Sequence, residues 1–139
     1  MPQNNGYHST KLILIGEDDL DDQELLKETF SSIDDSFSLF FSTNGTEILA
    51  YLNESNDADL PCLILLDYNM PGLNGVEILG ELKNNSRYDG IPKIIWSTSR
   101  SETYRDICLK VGAHDYIVKP SNINDLVEIC RYMLTTCVS

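Results

Sequence analysis

The chain has 139 residues, and its 10 Lys+Arg against 22 Asp+Glu give a formal charge of −12. With 42% hydrophobic and 23% charged residues, it has the composition of one globular domain, which excludes disorder, collagen and coiled coil. The acid excess excludes direct nucleic-acid binding, which runs on surplus Lys and Arg, and no apolar run approaches the roughly 18 residues of a membrane helix.

The opening MPQNNGYHST has neither the basic start nor the apolar stretch of a secretory signal. A cytoplasmic protein is expected, one domain over 1–139 with its core from about 11 to 138 and residues 1–10 as an extension. Leu12–Ile15 is the first of five short apolar runs, and Leu25, Leu26, Phe30 and Ile33 follow it at helical spacing. The second run, Phe37–Phe41, alternates with Ser36 and Ser38 as an edge strand would, although Phe40 breaks the alternation; Ile48, Leu49 and Leu52 follow. Cys62–Leu66 is continuously apolar, as a strand buried on both faces should be, and Val76, Leu79 and Leu82 succeed it. Asn84–Gly90 is polar and runs into Pro92, which predicts a loop. After Ile94–Trp96, the residues Tyr104, Ile107, Cys108 and Val111 fit the i, i+3, i+4, i+7 template of a buried helical stripe. Tyr116–Val118 and the stripe Leu126, Ile129, Cys130, Met133, Leu134 complete the chain. Asn44 with Glu47, Asn74 with Glu77, and Ser99 with Glu102 are candidate N-caps, and Gly112 stands where a helix C-terminal glycine belongs. Five strand–helix repeats predict an α/β fold, a doubly wound five-stranded parallel sheet covered on both faces.

The four cysteines show no metal-ligand spacing. Cys130 and Cys137 are two helical turns apart, roughly 10 Å, which is too far for a disulfide. Cys62 and Cys108 lie in apolar patterns, so four buried free thiols are expected.

In a doubly wound sheet, ligands bind beyond the carboxyl ends of the strands. The residues there are Glu17 and Asp18 after the first run, Asp67 after the third, Ser97 after the fourth and Lys119 after the fifth. Clustered carboxylates repel and take up protons unless a cation joins them. Mg²⁺ suits one or two carboxylates with waters and phosphate oxygens. Asp67, at the end of a central strand, is the candidate nucleophile for a phosphoryl group. Lys119 and the Ser97 hydroxyl would supply a charge and a donor to its oxygens. Taken singly, each residue has an ordinary explanation: Asp67 as a turn former, Lys119 as a solvated lysine. Asp21, Asp22 and Glu24 are expected only to complement a helix dipole. The joint placement carries the phosphoryl reading.

The segments KLILIGEDD, LILLDYNMPGLNG, IPKIIWSTS and GAHDYIVKP, spread from about Lys11 to Leu134, are similar to those of response-regulator receiver domains. The resemblance implies a (βα)5 flavodoxin-like sheet of order 2-1-3-4-5. It implies Asp67 as phosphoacceptor for a sensor histidine kinase of a two-component system, and Mg²⁺ held by Asp18, Asp67, the Asn69 backbone carbonyl and, through water, Glu17. Lys119 would pair with the phosphoryl oxygens, Ser97 would be the switch hydroxyl, and Tyr116 the switch aromatic that turns inward on phosphorylation. The Lys119–Pro120 bond would be cis. Output would pass through the face of the fourth helix, fifth strand and fifth helix, where Tyr104 and Arg105 lie, to a downstream protein, a phosphotransferase or a second copy. The chain would assist only its own phosphorylation and dephosphorylation, and so not be an enzyme in the usual sense. It resembles stand-alone receivers, most of all those paired with phytochrome-type kinases. A phosphorelay intermediate is the alternative. A doubly wound phosphatase would need an acid where Asn69 stands, and a flavin carrier would need a Ser/Thr/Gly-rich loop where the acids stand. Two departures matter: Gly16 replaces a usual branched residue and should loosen the strand end, and the bulky Trp96 needs a partner for its N–H if buried.

Overall fold

The computed structural model describes residues 10–138; of the expected extension 1–10, all but Thr10 lies outside them. The elements run β1 (Leu12–Gly16), α1 (Leu20–Ile33), β2 (Ser38–Ser42), α2 (Gly45–Glu54), β3 (Leu63–Asp67), α3 (Gly75–Lys83), β4 (Lys93–Ser97), α4 (Glu102–Lys110), β5 (Asp115–Val118) and α5 (Ile123–Val138). The sheet order is β2-β1-β3-β4-β5, every pair parallel. No helix among the described residues is long and apolar enough to cross a membrane.

Successive strand residues point to opposite faces, and both faces are covered, so the central runs are apolar throughout. Leu14, Ile64, Leu66 and Ile95 meet α2, α3 and α4. Ile13, Ile15, Leu63, Leu65, Ile94 and Trp96 meet α1 and α5. Edge strand β2 alternates exposed and half-buried positions from Ser38 to Phe41; the apolar Phe40 stands on the exposed side, 41% exposed, and stacks on Tyr51 of α2 at 4.3 Å between ring centroids. Gly16 pairs with Ser42 and Leu66, Asp67 with Trp96, and Ser97 with Val118. This register lines up the carboxyl ends and decides where the site is.

Several expectations are corrected. The end of β1 is not loosened by Gly16, because the Met70 thioether fills the space of the missing side chain: a Cβ there would lie 2.8 Å from Met70 Cε. Met70→Ala is expected to cost about 2–3 kcal/mol in urea unfolding. Gly16→Ala in that background should recover part of the loss, a coupling of about 1 kcal/mol; strictly additive effects would refute the mutual packing. Helix α4 is capped by Ser101, which accepts the Tyr104 N–H at 3.2 Å, while Ser99 accepts the Ser101 N–H instead. The apolar stripe of α4 is buried only at Cys108; Tyr104 and Ile107 are each 39% exposed. The helix lies beside β5, where the sheet ends, so less apolar surface underlies it. The loop expected over Asn84–Gly90 contains a single 3-10 turn, Ser86–Tyr88. From it Arg87 reaches Asp57, Leu52 O and Ser55 O, tying the loop to the end of α2. At the other end of α4, Gly112 takes φ +114° and Ala113 N–H reaches Cys108 O at 3.0 Å, a Schellman closure.

Cys62 and Cys137 are joined as a disulfide, with Cα atoms 4.9 Å apart across 75 residues. Pairing within one helix was correctly excluded, but α5 returns over the start of β3 and brings the two together. Cys108 and Cys130 are free and buried, their thiols pushed up to about 11 and about 12 by burial. No peptide bond among the described residues is cis. Lys119–Pro120 is therefore trans, the form an X–Pro amide prefers by about 0.5–1 kcal/mol.

Candidate functional site

Asp67 and Ser97 end their strands, Glu17 and Lys119 lie one step beyond theirs, Asp18 and Asn69 two steps beyond, and Tyr116 lies within β5. Glu17 follows β1, held by its N–H to Ser42 O at 2.9 Å, and is wholly buried, whereas Asp18 is exposed. Asp67 closes β3 and Ser97 closes β4, both buried. Lys119 follows β5, its N–H donating to Ser97 O at 2.7 Å.

The Lys119 ammonium donates to three carboxylates at once: Glu17 Oε1, Asp22 Oδ2 and Asp67 Oδ2, each at 2.9 Å. The other Asp67 oxygen, Oδ1, accepts the Asn69 N–H at 2.9 Å. Asp67 is thus oriented from both sides by a cation and a backbone amide. The loop behind it is tight. Gly75 N–H bonds Tyr68 O at 3.1 Å, and a Cβ on Gly75 would stand 3.1 Å from Asp67 O.

Charge balance decides the protonation of this cluster. Burial, reinforced by the hydrogen bond and charge of Asp67, pushes the Glu17 carboxyl up to about 8 in spite of Lys119. Burial opposes the Lys119 charge, yet its bonds to Glu17, Asp22 and Asp67 outweigh that and hold it above the ordinary lysine range. One cation does not neutralise these acids, and the shortfall shows as a proton retained by Glu17. One oxygen each from Glu17, Asp18 and Asp67 lies within 4.8 Å of the others. Such a set of hard oxygens suits a divalent ion.

The Ser97 Oγ accepts the Ser99 N–H at 3.1 Å, and Ser99 O in turn accepts the Tyr116 hydroxyl at 2.8 Å. Tyr116, expected to turn inward on phosphorylation, is already inward at 3% exposure. Arg105 Nη1 bonds Tyr116 O at 3.1 Å. Ser99 therefore links the two expected switch residues, a role sequence reading gave only to a helix cap.

Asp22 was also missed. It is expected only to complement the helix dipole, although the first turn of α1 that carries it follows directly on Glu17 and Asp18. Tyr68, directly after Asp67, stacks on Tyr104 of α4 at 4.6 Å between ring centroids. Trp96 lies under the site with Lys119 Nζ 4.9 Å from its ring centroid. Its buried indole N–H has no partner among the described residues, so the partner expected for it is not found. Beside these groups opens a cavity of about 260 Å³, lined by Asp22, Leu25, Trp96, Lys119, Ile123 and Leu126 among others.

Comparison with known proteins agrees with this arrangement. The family model for the response regulator receiver domain matches residues 13–131. A probable transcriptional regulatory protein of Picosynechococcus sp. is 38% identical over 106 residues, 73% of this chain but 41% of that protein. The chain thus spans about two fifths of that relative's length. Response regulator Rcp1 of Synechocystis sp. is 30% identical over 124 residues, 87% of this chain and 84% of Rcp1. The crystal structure of Rcp1 in its Mn²⁺-bound form superposes with a TM-score of 0.81 at 27% identity, covering 94% of this chain and 96% of that one. The phosphorylated cyanobacterial phytochrome response regulator RcpA superposes with a TM-score of 0.80 at 29% identity, covering 93% and 96%. By its sheet order, its convergent strand ends and the match over residues 13–131, the chain belongs to the response regulator receiver family of two-component systems.

Proposed function

We propose that this receiver accepts one phosphoryl group on Asp67 from the phosphohistidine of a sensor histidine kinase, in a Mg²⁺-dependent reaction. The observation that carries the reading is the double hold on Asp67: Lys119 on one oxygen, the Asn69 amide on the other, inside a cluster of acids. That RcpA is described as phosphorylated and Rcp1 as Mn²⁺-bound supports carrying both properties over.

In the transfer, an Asp67 carboxylate oxygen forms the bond to phosphorus as the bond to the donor nitrogen breaks, and the imidazole leaves with that electron pair. A divalent ion at Glu17, Asp18 and Asp67, with the Asn69 carbonyl, would neutralise charge on the phosphoryl oxygens. Lys119 already points at Asp67 and supplies the fixed positive charge. The Ser97 hydroxyl, engaged among the described residues only as acceptor for the Ser99 amide, has its proton to offer an oxygen on Asp67. Because Ser99 O also holds the Tyr116 hydroxyl, a Ser97 shift disturbs the Ser99–Tyr116–Arg105 chain and reaches α4. The exposed Tyr104 and Ile107 of that helix would present the change to a downstream protein or a second copy. Phosphorylation biases this equilibrium only by the energy with which it favours one packing. The chain's own chemistry is confined to gaining and losing its phosphoryl group.

Incubation with Mg²⁺ and a small phosphodonor should give a mass increase of one phosphoryl group, abolished by chelator. Asp67→Asn should take up none. An unlabelled wild type, or an equally labelled Asp67→Asn, would overturn the proposal.

A further inference from the structure

Asp21 and Asp22 both occupy the first turn of α1, and the backbone N–H of each is taken by the Asp19 cap. They differ in one respect: the Asp22 carboxylate reaches across to Lys119 Nζ at 2.9 Å, 97 residues away in sequence. An ammonium has three protons, and those of Lys119 go to Glu17, Asp22 and Asp67. A phosphoryl group on Asp67 adds about −1.5 to −2 charge and three strong acceptor oxygens. To bond one of them, Lys119 must release an acceptor it now holds.

Burial decides which one. The side chain of Glu17 is 0% exposed and that of Asp67 is 9% exposed, so neither carboxylate can be rehydrated if abandoned. The Asp22 side chain is 28% exposed and borders the open cavity beside Trp96, so water can replace the lysine there. Asp22 also lies outside the Glu17–Asp18–Asp67 oxygen cluster, and a divalent ion would leave its claim on the lysine intact. We propose that Asp22 is a positioning residue that competes with the phosphoryl group for Lys119 and thereby weakens the hold of the site on that group. The proposal rests on the phosphoacceptor reading of Asp67 and deepens it: the acid sets the level of modification without touching the metal or the phosphorus.

The test is titration with beryllofluoride, a phosphoryl mimic, in the presence of Mg²⁺. It is read by the emission of Trp96, the single tryptophan of the chain, over whose ring the ammonium lies. Asp22→Asn should bind the mimic about five-fold more tightly, the worth of one partly exposed ion pair. Its emission before any mimic is added should already be displaced toward the loaded wild-type value. Asp21→Asn, which removes the same charge from the same helix turn without a lysine contact, should change neither. Unchanged or weakened binding in Asp22→Asn overturns the proposal, as does equal tightening in Asp21→Asn. A wild type that binds no mimic overturns the phosphoacceptor reading and this proposal together, whereas a wild type that binds with Asp22→Asn unchanged overturns this proposal alone.

Discussion

Unfolded in urea with a chelator present, the wild type is expected to lose stability relative to Glu17→Gln as the pH rises from about 5 to about 8, at a slope approaching ~1.4 kcal/mol per pH unit. The sign follows from the direction of the shift. The Glu17 carboxyl titrates at about 8 when folded against 4.5 as an ordinary side chain. Between these values the folded state holds a proton that the unfolded chain has released. That contribution is fully present below the unfolded value and is lost as the pH climbs through the folded one. Glutamine cannot titrate, so subtracting its curve isolates the site from every other carboxylate. Saturating Mg²⁺ should flatten the difference, because a hard cation takes the deprotonated oxygens and displaces the Glu17 proton. A flat difference curve in chelator would refute the account of Glu17 as a strained, proton-retaining acid.

This frustration explains why the acids stand where they do. A buried carboxylate beside another destabilises the fold, and apolar residues at 17 and 67 would remove the problem. The cluster instead keeps a deficit of positive charge that a proton, a metal ion or Lys119 can each relieve in part. Competition among those three is what makes the site responsive. It also gives Asp22 its effect, since any group that occupies Lys119 alters the balance for the others.

The strands and the five strand-end residues were legible because both signals are local. Apolar runs such as Leu63–Leu66 need only their neighbours to be recognised, and parallel strands of one sheet must end on one edge, so Glu17, Asp67 and Lys119 follow from order alone. What escaped depends on packing between distant segments. The reach of Asp22 to Lys119 depends on how α1 leans on the sheet. The Cys62–Cys137 pair depends on α5 returning past the start of β3. Met70 compensates Gly16 through space, which made a harmless exchange look like a defect. In α4, the periodicity of Tyr104, Ile107, Cys108 and Val111 correctly gave a helix, but periodicity records which residues share a face and not whether anything covers it. The spacing of Ser99 to Glu102 likewise pointed to Ser99 as the α4 cap, whereas the path of the chain puts Ser101 there.

Lys119→Met should be the most damaging single replacement, and its damage should depend on pH and metal in a way that a simple packing defect would not. Methionine preserves most of the length and apolar stem, so the loss is the ammonium, the one cation among the described residues bonded to Glu17, Asp22 and Asp67. Removing one partner from a largely buried ionic group leaves uncompensated charge, typically about 3–5 kcal/mol. Partial exposure of Asp22 and the readiness of Glu17 to hold a proton argue for the lower end. In chelator at about pH 8 a loss of roughly 3 kcal/mol is therefore expected in urea unfolding. Near pH 5 Glu17 holds its proton, so the vacated ammonium leaves less uncompensated charge and the loss should shrink to about 1 kcal/mol. Lys119 itself does not titrate in this window: its folded value is raised, so its contribution is intact throughout and is lost only in strong alkali. Mg²⁺ should restore part of the stability at pH 8 by supplying positive charge to the same oxygens. It should not restore uptake of the phosphoryl group to the wild-type level, because the ion would sit on the Glu17–Asp18–Asp67 side and leave the Asp67 Oδ2 side without its cation. Equal stability of Lys119→Met and wild type at pH 8 in chelator would refute the view that this lysine holds the acid cluster together.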